Sequence, residues 1–70
     1  MSSAHVYKTV EITGSSSDDV NEAIRNAIEK ASQTLRHLEW FEVTDVRGMI
    51  ADDRLAYYQV TLKIGFRLED

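Results

Sequence analysis

Two side chains in this sequence of 70 residues suit the recognition of flat molecules with polar edges: Trp40, its single tryptophan, and Gln59. An indole offers a broad face for stacking on another ring, and a primary amide sets a donor beside an acceptor, a pattern that pairs in bidentate fashion with a heterocycle edge. A tryptophan in a small domain ordinarily anchors the core, and a glutamine on a strand is ordinarily solvated, so the meaning of both rests on where they point. Asp45 and Arg47 come next, two charges that interrupt an apolar alternation. Other chemistry is absent from the pattern. There is no cysteine, and His5 and His37 sit in no catalytic arrangement. A glycine-rich phosphate loop, metal-ligand spacing and a nucleophile beside a base are all missing. The expectation is a binding protein and not an enzyme.

The elements that position these residues come from periodicity. Leu38 to Leu68 reads as one long β-hairpin. With Asp52 and Asp53 as a two-residue turn, Trp40 falls opposite Gly65, Glu42 opposite Lys63, Thr44 opposite Thr61 and Val46 opposite Gln59. Opposite charges and paired threonines make good cross-strand partners. The same register sets Phe41, Val43 and Met49 on an apolar face opposite Ile64, Leu62 and Ala56. Trp40 is thereby sent to the polar face, beside a glycine that leaves its ring uncovered. There it suits stacking on a neighbouring subunit's aromatic ring, a nucleobase or a conjugated cofactor. Asp45 and Arg47 would break the apolar face opposite Val60 and Tyr58, through either a β-bulge or a polar rim that the helix does not cover. Trp40 and Gln59 would stand six strand residues apart, roughly 20 Å, so a shared ligand needs two subunits.

Upstream, residues 5–13 alternate, with Val6, Val10 and Ile12 on one face, and form the first strand. Gly14 and the serines after it are expected to break that strand. Ser16 is the expected N-cap, accepting from the backbone N–H of Asp19. Val20, Ile24, Ala27, Ile28, Ala31, Leu35 and Leu38 recur at helical spacing, which predicts one amphipathic helix over about 17–36. With strands at about 39–50 and 55–68, the chain is a single α+β domain, 1–70, of order βαββ, its three-stranded antiparallel sheet wrapped around the helix.

So short a chain buries a modest share of its surface, and without cysteine or metal-ligand spacing the remaining support is association with other copies. A net charge of −4 with scattered Lys and Arg speaks against nucleic acid. No apolar run approaches the length of a membrane span, and Met1 to His5 lack the pattern of a secretory signal, so the expected setting is cytoplasmic.

Trp40-Phe41-Glu42-Val43, Gln59-Val60-Thr61 and Gly65-Phe66-Arg67-Leu68-Glu69-Asp70 resemble the bacterial dodecins, small flavin-binding proteins. Val10 to Gly14, the serine-acid helix start and the helix length agree, so the resemblance covers nearly the whole chain. It implies a homo-oligomer of twelve copies, a hollow dodecamer that stores flavin between subunits and quenches its photochemistry. It also implies that Trp40 stacks on the isoalloxazine and Gln59 hydrogen-bonds its polar edge, with Arg47 and Asp45 bordering the site. The implied cofactor is FMN, with riboflavin or FAD as the other flavins, and coenzyme A is a second ligand of bacterial members.

Overall fold

A computed structural model describes residues 4–69; the ends of the expected domain, residues 1–3 and 70, lie outside it. Strand β1 spans Tyr7–Ser16, helix α1 Val20–Ala31, β2 Leu38–Ala51 and β3 Arg54–Arg67. They form one antiparallel sheet in the order β1-β3-β2, so the βαββ α+β architecture stands. Asp52 and Asp53 carry φ of 53° and 61°, the left-handed pair that a two-residue I′ hairpin turn demands.

The register starts as expected and then departs. Trp40 pairs with Gly65, Phe41 with Ile64, Glu42 with Lys63 and Val43 with Leu62, but Asp45, not Thr44, lies opposite Thr61. Thr44 is the extra residue of a β-bulge, and its hydroxyl donates to the Thr61 carbonyl at 3.2 Å. Beyond it Val46 pairs with Val60, Arg47 with Gln59, Gly48 with Tyr58 and Met49 with Tyr57. The expected pairs Thr44 with Thr61, Val46 with Gln59, and Met49 with Ala56 do not form. The cause is hydrophobic patterning: an unbroken ladder would set Asp45 and Arg47 among apolar side chains and leave Val46 on the polar side. One inserted residue reverses both assignments. The threonine that meets the Thr61 hydroxyl is Thr13 of β1, at 2.9 Å.

Strand β1 runs on through the expected break. Gly14 pairs with Val60, and a Cβ there would lie 2.2 Å from the Ala23 carbonyl oxygen and 2.9 Å from the Ala27 Cβ. Gly14 is therefore where the helix backbone comes down onto the sheet. The face it meets is made of small residues, with Ala23, Ala27 and Ala31 buried. Opposite them Val60, Leu62 and Ile64 complete the core. Gly14→Ala is expected to push the helix off the sheet and destabilise the subunit by about 1–3 kcal/mol or more, read as a lower denaturation midpoint.

The helix is shorter than 17–36. Asp19 caps it, accepting from the Glu22 N–H at 2.7 Å, whereas Ser16 ends β1 and accepts from Asp18 and Asp19 N–H in the turn before it. At the other end the Ser32 hydroxyl donates to the Glu29 carbonyl at 2.7 Å, and the chain turns away instead of continuing the helix. His37, at φ 62°, reverses the chain into β2, and its carbonyl accepts from the Arg67 N–H at 3.1 Å. Leu35 and Leu38 still pack on the core, but from this connection and from β2.

Helix α1 lies over β1 and β3, and β2 extends beyond its cover. Phe41, Val43 and Val46 share the core-side face yet are 44%, 44% and 50% exposed. The molecule measures 60 × 20 × 14 Å, with a radius of gyration of 14.9 Å against about 11 Å for a compact chain of this length. Such a hairpin leaves apolar surface uncovered that a self-contained domain would bury.

Candidate functional site

The face of the sheet turned away from the helix holds all four residues of interest. Trp40 pairs with Gly65, while Asp45, Arg47 and Gln59 share the Lys63–Gly65 side of the ladder once the bulge has reversed the alternation. An unbroken strand would have put Asp45 and Arg47 on the opposite side from Trp40. Of the two readings for these charges, the bulge is the one the fold adopts.

Trp40 does not stand free. Its indole lies across Gly65, where a Cβ would sit 2.1 Å from Cε2 and Cζ2, so one face of the ring rests on the backbone of the central strand. This corrects the expectation that the glycine leaves the ring uncovered. Tyr7, at the start of β1, meets the indole edge-on, with centroids 5.3 Å apart and planes at 63°. Trp40 retains 39% exposure as a residue, which leaves room for a flat partner on the outer side of its ring. Gly65 and Tyr7 are the residues that sequence reading missed as parts of the site. A glycine directly opposite a tryptophan in an antiparallel pair was the available signal, since an aromatic ring commonly covers a cross-strand glycine.

At the other end of the face, Gln59 is half-buried between Ser15 of β1 and Arg47 of β2. Arg47 Nε lies 3.7 Å from Asp45 Oδ2, with both side chains more than half exposed. A pair so exposed contributes little to stability, on the order of 0–1 kcal/mol, and leaves the guanidinium available to an incoming group. A shallow hollow of about 530 Å³ bounded by Ser15, Ser16, Ser17, Ala56 and Tyr57 opens beside Gln59. A smaller one of about 160 Å³ lies against Trp40, lined by Ile28, Leu38, Glu39, Phe41 and Ile64. Neither includes both Trp40 and Gln59. Gly65, beneath the indole, is six residues along β3 from Gln59, roughly 20 Å by strand rise. Within one chain the two ends share a face but not a hollow. Among the described residues no cluster of three or more His, Asp or Glu is placed to hold a metal.

Comparison with known proteins bears on this arrangement. A family model described as Dodecin matches residues 6–69. The curated dodecin of Thermus thermophilus is 49% identical over 65 residues, which cover 93% of this chain and 94% of that protein. The solved dodecin from Streptomyces davaonensis superposes with a TM-score of 0.93 at 51% identity, covering 97% of this chain and all of that one. The dodecin from Streptomyces coelicolor superposes with a TM-score of 0.92 at 56% identity, covering 99% of each.

Proposed function

The chain belongs to the dodecin family, and from that premise we propose that it binds flavin between the subunits of a cytoplasmic homododecamer and stores it without turnover. The observation that carries this reading is the indole of Trp40, set flat on Gly65 with its outer side open on a polar sheet face. A buried structural tryptophan would have both faces packed.

The side chains fit a flavin by chemistry. Trp40 offers a stacking surface for a tricyclic ring, and the Gln59 amide offers a donor and an acceptor to an edge that carries both. Arg47, opposite Gln59 and only loosely held by Asp45, suits the phosphate of FMN, with its planar fork of donors. Because Trp40 and Gln59 are too far apart to grip one ring within a chain, each would act with its counterpart on another copy. The uncovered Phe41, Val43 and Val46 face provides surface for that association. A bound flavin would bring a light-absorbing redox ring. Trp40, stacked on that ring, would be the electron donor through which its excitation is quenched.

Titration with FMN, followed by flavin fluorescence, tests the proposal: quenching that saturates is expected. Trp40→Ala should weaken binding by about 1–3 kcal/mol, by analogy with the removal of base-stacking aromatics. The assembly should persist on a sizing column, because Trp40 is absent from the core beneath the helix. Sustained oxidation of reduced nicotinamide by the flavin-loaded protein would instead favour an enzyme. A stable oligomer that never quenches flavin would favour a purely structural module.

A further inference from the structure

Tyr7 and His5 have no role in the reading above, yet they extend the Trp40 ring into a line of aromatic contacts. Tyr7 meets the indole edge-on at 5.3 Å, and His5 meets Tyr7 edge-on at 6.5 Å and 73°. Tyr7 is 41% exposed, so its contact with Trp40 belongs to the sheet surface and not to a sealed core. The sequence contains a single tryptophan, and among the described residues Tyr7 of β1 is the aromatic ring that meets it edge-on.

We propose that Tyr7 is a second electron donor behind Trp40, so that an electron deficiency created on the indole passes to the phenol. Two rings in edge contact need no intervening bridge for electron transfer. At neutral pH a phenol that sheds its proton on oxidation is a better donor than an indole radical cation is a keeper of its hole. A one-electron oxidant removes an electron from Trp40 and leaves an indole radical cation. Tyr7 supplies one electron to that radical, its O–H bond breaks, and the proton goes to water at the exposed hydroxyl. The products are intact Trp40 and a neutral phenoxyl radical. Later, an electron returned from the reduced oxidant, with a proton from water, restores the phenol. That the oxidant in the cell is a photoexcited bound flavin rests on the function proposed above; the transfer between the two rings does not. Its consequence is protective: an indole that fails to recover its electron directly is repaired by its neighbour before it reacts with oxygen.

The test uses the full-length, flavin-free protein and the azide radical, generated by pulse radiolysis, which oxidises indole in preference to phenol. In the wild type the visible band of the indolyl radical should decay while the narrower phenoxyl band at shorter wavelength grows. Both should follow one first-order rate that is independent of protein concentration. Tyr7→Phe keeps the edge contact and removes the hydroxyl, and should abolish the phenoxyl growth and leave a long-lived indolyl radical. Unchanged near-ultraviolet circular dichroism would verify that the indole has kept its place. Tyr57→Phe and Tyr58→Phe should leave the transfer intact. Growth of the phenoxyl band in Tyr7→Phe, its loss in either control, or a rate that scales with protein concentration would overturn the proposal. Failure of flavin to bind would show separately, as absent quenching in a titration, and would leave the radical kinetics unaltered.

Discussion

Val43→Asp is expected to eliminate flavin quenching although it alters neither Trp40 nor Gln59. Val43 pairs with Leu62 on the core side of the sheet, but it lies on β2 outside the cover of the helix and keeps 44% of its surface exposed. In the separate subunit an aspartate there remains hydrated, and folding is little affected. In an assembly that covers this face the same carboxylate would be buried without a partner, at a cost of several kcal/mol per contact. Repeated at every equivalent contact, that cost should leave folded single subunits. Trp40 and Gln59, roughly 20 Å apart by strand rise, would then have no second copy to complete a site. Sizing chromatography and FMN titration in one buffer check both halves. A folded monomer that still quenches flavin as the parent does would show that one chain holds a complete site.

Gly65→Ala should cost nearly as much binding as removing the indole, through geometry alone. Its Cβ would lie 2.1 Å from two atoms of the Trp40 ring, far inside van der Waals contact. The atoms it meets belong to a side chain with two rotatable bonds, so the indole can swing away while the strand pairing stays. The ring then loses both its floor and its edge contact with Tyr7. FMN affinity should fall by up to about 1–3 kcal/mol, the range for loss of one stacking platform. The thermal midpoint should move little, since Gly65 and Trp40 lie on the face opposite the Val60, Leu62 and Ile64 core. Tryptophan emission shifted to the red, with near-ultraviolet circular dichroism reduced, would register the displaced ring without any ligand.

Gly14 contrasts with Gly65. Both admit a close approach on the sheet, but the neighbour at Gly14 is helix backbone, which cannot rotate aside, whereas at Gly65 it is a movable ring. The expected damage differs accordingly: stability at one position, the binding surface at the other.

Spacing along the chain was enough to set the order of elements, the Asp52-Asp53 turn, the pairing of Trp40 with Gly65 and the core faces of β1 and β3, because strict alternation specifies faces wherever one side is apolar. That is why Trp40 could be assigned to the sheet face away from the helix from spacing alone. The resemblance carried by Trp40 to Val43 and Gln59 to Thr61 reached the family that the comparisons identify. The remaining features depend on contacts between elements. Alternation has a period of two, so a single extra residue reverses every assignment beyond it, and local composition does not say which residue will be the extra one. Thr44 takes that place because its hydroxyl can reach the Thr61 carbonyl and because Val46 then meets Val60. This one insertion brought Asp45 and Arg47 round to the side of Gln59. The helix likewise ended at Ala31 and not near 36, because the backbone bonds beyond it tighten, Gln33 N–H to the Lys30 carbonyl and Thr34 N–H to the Ala31 carbonyl, and the sheet offers Leu35 and Leu38 a place outside the helix. The indole's orientation was beyond any pattern in the chain: it depends on a rotamer chosen by the space above Gly65 and the edge of Tyr7, contacts between strands far apart in sequence.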